Sequence, residues 1–140
     1  FDNENFKVAL SICWEQMYPE KLTSLVNQNA EFIALMNNDA WFGKTAGAKQ
    51  LLSFTRLRAI ENRRTIARCS NGGISCFIDP FGKIYGKIPW FTTEFSTQEV
   101  LCNTKKSFYT KHPRFFLGCV LVSLILLIFY FELFKKNKTV

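Results

Sequence analysis

The C-terminal end of the chain limits the possible folds more than any other stretch. Phe115 to Phe131 carries no charged side chain, and with Glu132 tolerated at the edge the apolar run continues to Phe134. A helix of about 20 residues at 1.5 Å per residue matches the roughly 30 Å hydrocarbon core of a bilayer. Lys135, Lys136 and Lys138 suit the interface beyond it. The sequence therefore predicts a transmembrane helix over 113–134, a basic tail over 135–140 and a folded domain over 1–112. A buried core helix is the competing reading, but the roughly 110 residues before it are too few to enclose such a rod. At the C-terminal end the run is not a cleaved secretory signal.

Basic residues flank the run on both sides: Lys105, Lys106, Lys111 and Arg114 before it, three lysines after it. Charge counting leaves its orientation open. The net charge of +7 points to a membrane partner before a nucleic acid, since no nucleic-acid motif is present.

Chemistry is expected first at Ser11-Ile12-Cys13-Trp14-Glu15. Lys7–Ile12 is short and β-prone, and Pro19-Glu20 opens a helical pattern, so Cys13 falls at a strand-to-helix turn. Such a turn exposes a thiol and sets the following N–H groups beside it, where they lower its pKa or receive an oxyanion. Ordinary burial of a free cysteine competes with this reading. The five cysteines form no CxxC pair and His112 is the sole histidine, so neither a metal nor a cofactor is expected.

Pro19–Asn29 has Leu22, Leu25 and Val26 at helical spacing, and Glu31–Met36 is a compact run suited to a buried strand. That alternation predicts α/β layering. Asn37 to Gly43 follows as a polar and aromatic cluster at the strand's C-terminal end, where α/β proteins place binding groups; a packed Asx-rich turn fits equally. Ala46–Cys69 is read as one long helix, its arginines a solvated face and Glu61 an ionised carboxylate among them, stopped by Asn71-Gly72-Gly73. Ile74–Ile78 and Lys83–Ile88 flank a turn-rich loop and predict a hairpin. Phe91–Asn103 is expected to be extended.

Taken in order, SICWE at 11–15, NNDAWFG at 37–43, RLRAIENRR at 56–64, SNGGIS at 70–75, IDPFGKI at 78–84 and FYT at 108–110 resemble the C-terminal portion of the bacterial apolipoprotein N-acyltransferases, membrane members of the nitrilase superfamily. The resemblance implies a partial nitrilase-like α-β-β-α sandwich followed by one C-terminal transmembrane helix. It implies an enzyme of the bacterial inner membrane, multi-pass in its parent, with the catalytic domain on the outer side. The family moves an acyl chain from a phospholipid to a Cys thioester, then to the α-amino group of a diacylglyceryl-cysteine apolipoprotein.

Residue by residue, Cys13 matches the nucleophile and Glu15 a supporting carboxylate beside it. Trp14, where the family usually has Tyr, matches the substrate pocket together with Asn38 and Trp41. Glu61 matches a carboxylate expected to be structural. No position matches the family's general-base Glu or its Lys, so the chain is expected to be a fragment that is inactive alone. Leu51 stands where a His is common, and Lys111-His112 replaces a Gly-Asp pair. Two other readings compete: a membrane-anchored amidase of the same superfamily hydrolysing a small C–N bond, and a non-catalytic membrane-tethered module.

Overall fold

The computed structural model describes residues 2, 3 and 5–137, with side chains described from 5 to 131. Strands β1 (Asp2–Asn3), β2 (Phe6–Ile12), β3 (Phe32–Asn38), β4 (Ile66–Asn71), β5 (Ser75–Ile78) and β6 (Ile84–Ile88) lie side by side in chain order. β2, β3 and β4 run parallel, and β5 and β6 continue antiparallel, giving a mixed five-stranded sheet to which β1 adds an antiparallel edge. Parallel neighbours need helical crossovers. These are α1 (Pro19–Asn27), between β2 and β3, and α2 (Ala46–Asn62), between β3 and β4.

One face of the sheet holds the core. Ala9, Ile33, Leu35, Ile66, Cys76 and Ile78 point toward Leu22 and Val26 of α1 and Ala59 of α2, all at most 2 % exposed. Each fully buried Leu, Ile or Val contributes about 1.5–3 kcal/mol. Burial also pushes the Cys76 thiol up to about 11. All five cysteines are free. The opposite face keeps Leu10, Ile12 and Met36 exposed. There, Ala34, Met36, Ala67, Cys69, Phe77 and Phe95 line a cavity of about 390 Å³. The described residues thus supply one sheet with helices on one side, one half of the expected sandwich.

The long helix expected over Ala46–Cys69 is a correction. α2 stops at Asn62, where Arg63 takes a left-handed conformation (φ 52°) and the Arg64 N–H donates back to the Ala59 carbonyl. Beyond it the period changes from helical to two, and Ile66, Arg68 and Ser70 turn inward. Asn71-Gly72-Gly73 therefore turns β4 into β5 and does not end a helix. The solvated arginine face is corrected with it, since Arg58, Arg64 and Arg68 are buried. Arg64 is held by carbonyls: its Nε donates to that of Ala30 and its Nη1 to those of Asn62, Arg63 and Lys105, while the Glu31 charge favours its protonated form.

The hairpin forms as expected, with Asp79 Oδ1 accepting from the Phe81 and Lys83 N–H groups and Gly82 at φ 84°. Residues 91–103 form no strand. They lead to α3 (Phe108–Lys111), where Thr110 Oγ1 donates to Asn62 Oδ1 and the Thr110 carbonyl accepts from Asn27 Nδ2, docking α3 on α1 and α2.

A final helix, α4, runs Phe115–Asn137. Among the described residues no helix is long and apolar enough to cross a membrane, so the transmembrane expectation for 113–134 has no support there. Within the expected span, the side chains from Glu132 to Phe134 lie outside those described, as do those of the basic tail.

Candidate active site

β2 carries the chain to the C-terminal edge of the sheet, with Ile12 in register with Met36 of β3. A 3-10 turn, Cys13–Met17, then reverses it into α1. Cys13 sits at the head of the turn with φ 50°, a left-handed conformation that costs a β-carbon residue of order 1–3 kcal/mol and persists only where its surroundings enforce it. The sulfur-bearing side chain is half-buried.

Two side chains of the same turn enforce that geometry. Glu15 Oε2 accepts from the Ile12 N–H at 2.9 Å, while Oε1 pairs with Lys21 at the start of α1. The Lys21 hydrogen bond, and after it the Ile12 N–H, hold the Glu15 carboxyl below its ordinary value. Glu15 is therefore a committed acceptor and a weak base. From the other side, Gln16 Nε2 donates to the Cys13 carbonyl at 3.0 Å.

The second half of the site is the loop after β3. Asn38 Oδ1 accepts from the Ala40 N–H and from Asn71 Nδ2 at the end of β4, and the Asp39 N–H donates to the Asn71 carbonyl. The loop is thus pinned to the neighbouring strand. Gly72 and Gly73 allow this approach, since a Cβ on Gly72 would stand 2.8 Å from the Ala40 Cα. Trp41 lies in the short 3-10 turn Ala40–Phe42 and is 85 % exposed. Trp14 packs its ring 6.0 Å from that of Phe42, so the cysteine turn and the Asn38 loop meet edge to edge.

Of the residues singled out from sequence, Cys13, Trp14, Glu15, Asn38 and Trp41 are brought to one edge of the sheet. Glu61 is elsewhere. It lies near the C-terminus of α2 with Arg58, at 3.1 Å, and its carbonyl accepts from Ser107 beside α3. Burial raises its pKa, opposed by Arg58.

Sequence reasoning missed what lies beneath the edge. Arg68, on β4, is 3 % exposed. It spends its five donors on five acceptors: the Ile74 carbonyl (3.2 Å), Gln16 Oε1 (3.2 Å), Thr55 Oγ1 (2.8 Å), Asp39 Oδ2 (2.5 Å) and, in the amide orientation its neighbours require, the Asn37 side-chain oxygen (2.9 Å). Burial pushes its pKa down, and the charges of Asp39, Cys76 and Cys13 oppose that. Its one available signal was the period of two at Ile66, Arg68 and Ser70, which an arginine at a core position disguised. Among the described residues no cluster of His, Cys, Asp or Glu is arranged to hold a metal.

Residues 1–107 match the model of the carbon-nitrogen hydrolase family. The chain is 38 % identical over 112 residues to an apolipoprotein N-acyltransferase of Chlorobaculum tepidum, covering 80 % of this chain and 21 % of that one. It is 39 % identical over 97 residues to that of Pasteurella multocida, covering 69 % and 19 %. The chain thus spans about a fifth of the length of these relatives. In fold it is similar to the NitN amidase from Nesterenkonia (TM-score 0.58, 14 % identity, 86 % of this chain and 48 % of that one). It is likewise similar to a carbon-nitrogen hydrolase from Helicobacter pylori (TM-score 0.56, 16 % identity, 84 % and 46 %). A mixed sheet that delivers a strained cysteine to its C-terminal edge, together with a family match over more than three quarters of its length, makes this chain a member of the carbon-nitrogen hydrolase family.

Proposed function

We propose that this chain supplies the nucleophile side of an apolipoprotein N-acyltransferase site. The Cys13 thiolate attacks the ester carbonyl of a phospholipid, a C–S bond forms as the C–O bond to glycerol breaks, and the departing alkoxide takes a proton to leave as lysophospholipid. The α-amino group of a diacylglyceryl-cysteine apolipoprotein then attacks the thioester; the amide C–N bond forms as the C–S bond breaks, the nitrogen releases one proton, which balances the one the alkoxide took, and the thiolate returns. Splitting the transfer in this way suits sulfur, which is both a good nucleophile and a good leaving group.

The observation that carries the reading is Cys13 at φ 50° on the sheet edge, in the turn whose Trp14 packs against Phe42, the neighbour of the exposed Trp41. Trp14, Trp41 and Asn38 form the pocket edge in this proposal, the rings against acyl chain and the amide toward polar groups. Glu15 orders the turn, because its oxygens are already engaged by Ile12 and Lys21. Glu61 is structural, bracing α2 against α3. The proton acceptor and the cation facing the oxyanion are not assigned to residues of this chain, so the 140 residues alone are expected to form no thioester.

A phospholipid donor places the reaction at a bilayer, which we assign to the outer side of a bacterial cytoplasmic membrane. The described side chains of α4 suit contact with lipid. From Phe115 to Phe131 they are exposed on every side and almost wholly apolar, and Ser123 Oγ donates internally to the Val120 carbonyl.

The test is a chimera in which residues 1–112 replace the matching segment of the Chlorobaculum tepidum relative. It should N-acylate a diacylglyceryl-cysteine peptide and show an acyl adduct on Cys13 by mass spectrometry. A Cys13→Ser chimera that retained activity would sink the proposal. Hydrolysis of small amides without acyl transfer would favour the amidase reading.

A further inference from the structure

The nucleophile's conformation is unusual, and the residues that hold it lead to one buried cation. Cys13 takes a left-handed φ that nothing in its own side chain favours. Its carbonyl is held by Gln16 Nε2, and Gln16, itself fully buried, is held in turn through Oε1 by Arg68 Nη1 and by Thr55 Oγ1. Arg68 Nη2 reaches Asp39, whose backbone opens the Asn38–Trp41 loop. One planar guanidinium therefore ties the cysteine turn to the pocket loop and both to α2 through Thr55. All its donors are used and its plane is fixed, the situation in which lysine is a poor substitute.

We propose that Arg68 is a positioning residue for Cys13, acting through Gln16 on the turn and through Asp39 on the pocket loop. This rests on the reading of Cys13 as the nucleophile. The cation also lies within electrostatic reach of the sulfur, since the charge of a Cys13 thiolate opposes the loss of the Arg68 proton. Glu15, Lys21 and Asp39 are the other charged groups about the turn and loop.

The test uses the full chain and site-resolved iodoacetamide labelling, read by mass spectrometry. Cys102 is exposed and lies toward the opposite sheet edge, next to the Leu101 carbonyl that accepts from Thr65 Oγ1, so it serves as the control. Buried Cys76 reports unfolding. In the wild type Cys13 should react faster than Cys102. Arg68→Met should slow Cys13 about tenfold. Arg68→Lys should recover part of the rate, and Cys102 should stay within about twofold in both.

An unchanged Cys13 rate in Arg68→Met would overturn the inference while leaving the nucleophile reading intact. A wild-type Cys13 no faster than Cys102 would overturn both. If Arg68→Met exposes Cys76, Gln16→Leu decides the matter, because it cuts the link to Cys13 and spares the Arg68–Asp39 pair. Slower Cys13 labelling in that variant supports the inference, and an unchanged rate refutes it.

Discussion

Arg68 Nη2 and Asp39 Oδ2 lie 2.5 Å apart, joining β4 to the loop after β3 through two side chains at most 1 % exposed. Such a pair adds little over an apolar replacement of both partners, but removing one partner strands the other. Breaking a buried pair costs about 3–5 kcal/mol. Asp39→Ala should lower stability by that amount in urea unfolding, whereas the double variant Asp39→Ala with Arg68→Met should lose less than the single one. A double variant less stable than Asp39→Ala would refute this account.

Gly73 makes the same pair possible from the side. A Cβ at this position would stand 2.4 Å from Asp39 Oδ2 and 2.3 Å from Ser70 Oγ. Both are short side chains on packed backbone, with little room to yield. Gly73→Ala should cost about 1–3 kcal/mol and shift the amide resonances of 38–41 as well as those of its own turn. Perturbation confined to residues 72–74 would count against the coupling.

How much of this was legible in the sequence depends on who paid for each element locally. β2, α1, β3 and the β5–β6 hairpin were readable because their own periods and turn residues specify them: Pro19 starts α1, and Asp79 with Gly82 closes the hairpin. β4 was not, because Arg63 ends α2 in a left-handed conformation without being glycine, and Arg64 and Arg68 look like solvent charges until their acceptors are known. Those acceptors come from distant positions; Asp39 is 29 residues from Arg68 and Gln16 is 52. The visible edge of the site, Cys13 with Asn38 and Trp41, was carried by contiguous motifs, while its support was spread over β2, β3, α2 and β4.

The Glu15 carboxyl sets an acid limit for the cysteine turn. Its pKa is lowered on folding, chiefly by Lys21, so its contribution is fully present above the ordinary carboxylate value of 4.5 and is lost as pH falls through the lower folded value. Amide exchange at Ile12 should therefore accelerate, relative to the rest of β2, only below that value. Glu15→Gln should remove this acid step and leave exchange at Ile12 faster at neutral pH. An acid step that survived in Glu15→Gln would assign it to another group.

Glu61 titrates in the opposite sense. Burial raises its pKa above 4.5, so its folded form binds a proton more readily than the unfolded chain, and its stabilising share is present at low pH and falls as pH rises through the folded value. Glu61→Gln should flatten that part of the stability profile. Because Glu61 is held by Arg58 and backs α3 through its carbonyl, the substitution should leave Cys13 labelling unchanged in the folded protein. A slower Cys13 would make Glu61 part of the site rather than part of its frame.

The two tryptophans separate packing from capture. Trp14 rests against Phe42, so Trp14→Ala removes an aromatic contact worth about 0.5–1.5 kcal/mol beyond the area lost. Trp41, 85 % exposed, touches little. Trp41→Ala should keep stability within about 0.5 kcal/mol yet weaken acyl-donor use in the chimera, raising KM for phospholipid vesicles more than it lowers kcat. An exposed indole costs nothing to remove from the fold, so any loss of activity must come from the substrate side. If Trp41→Ala left KM untouched while Trp14→Ala raised it, the lipid-contacting wall would lie on the cysteine turn instead of the Asn38 loop.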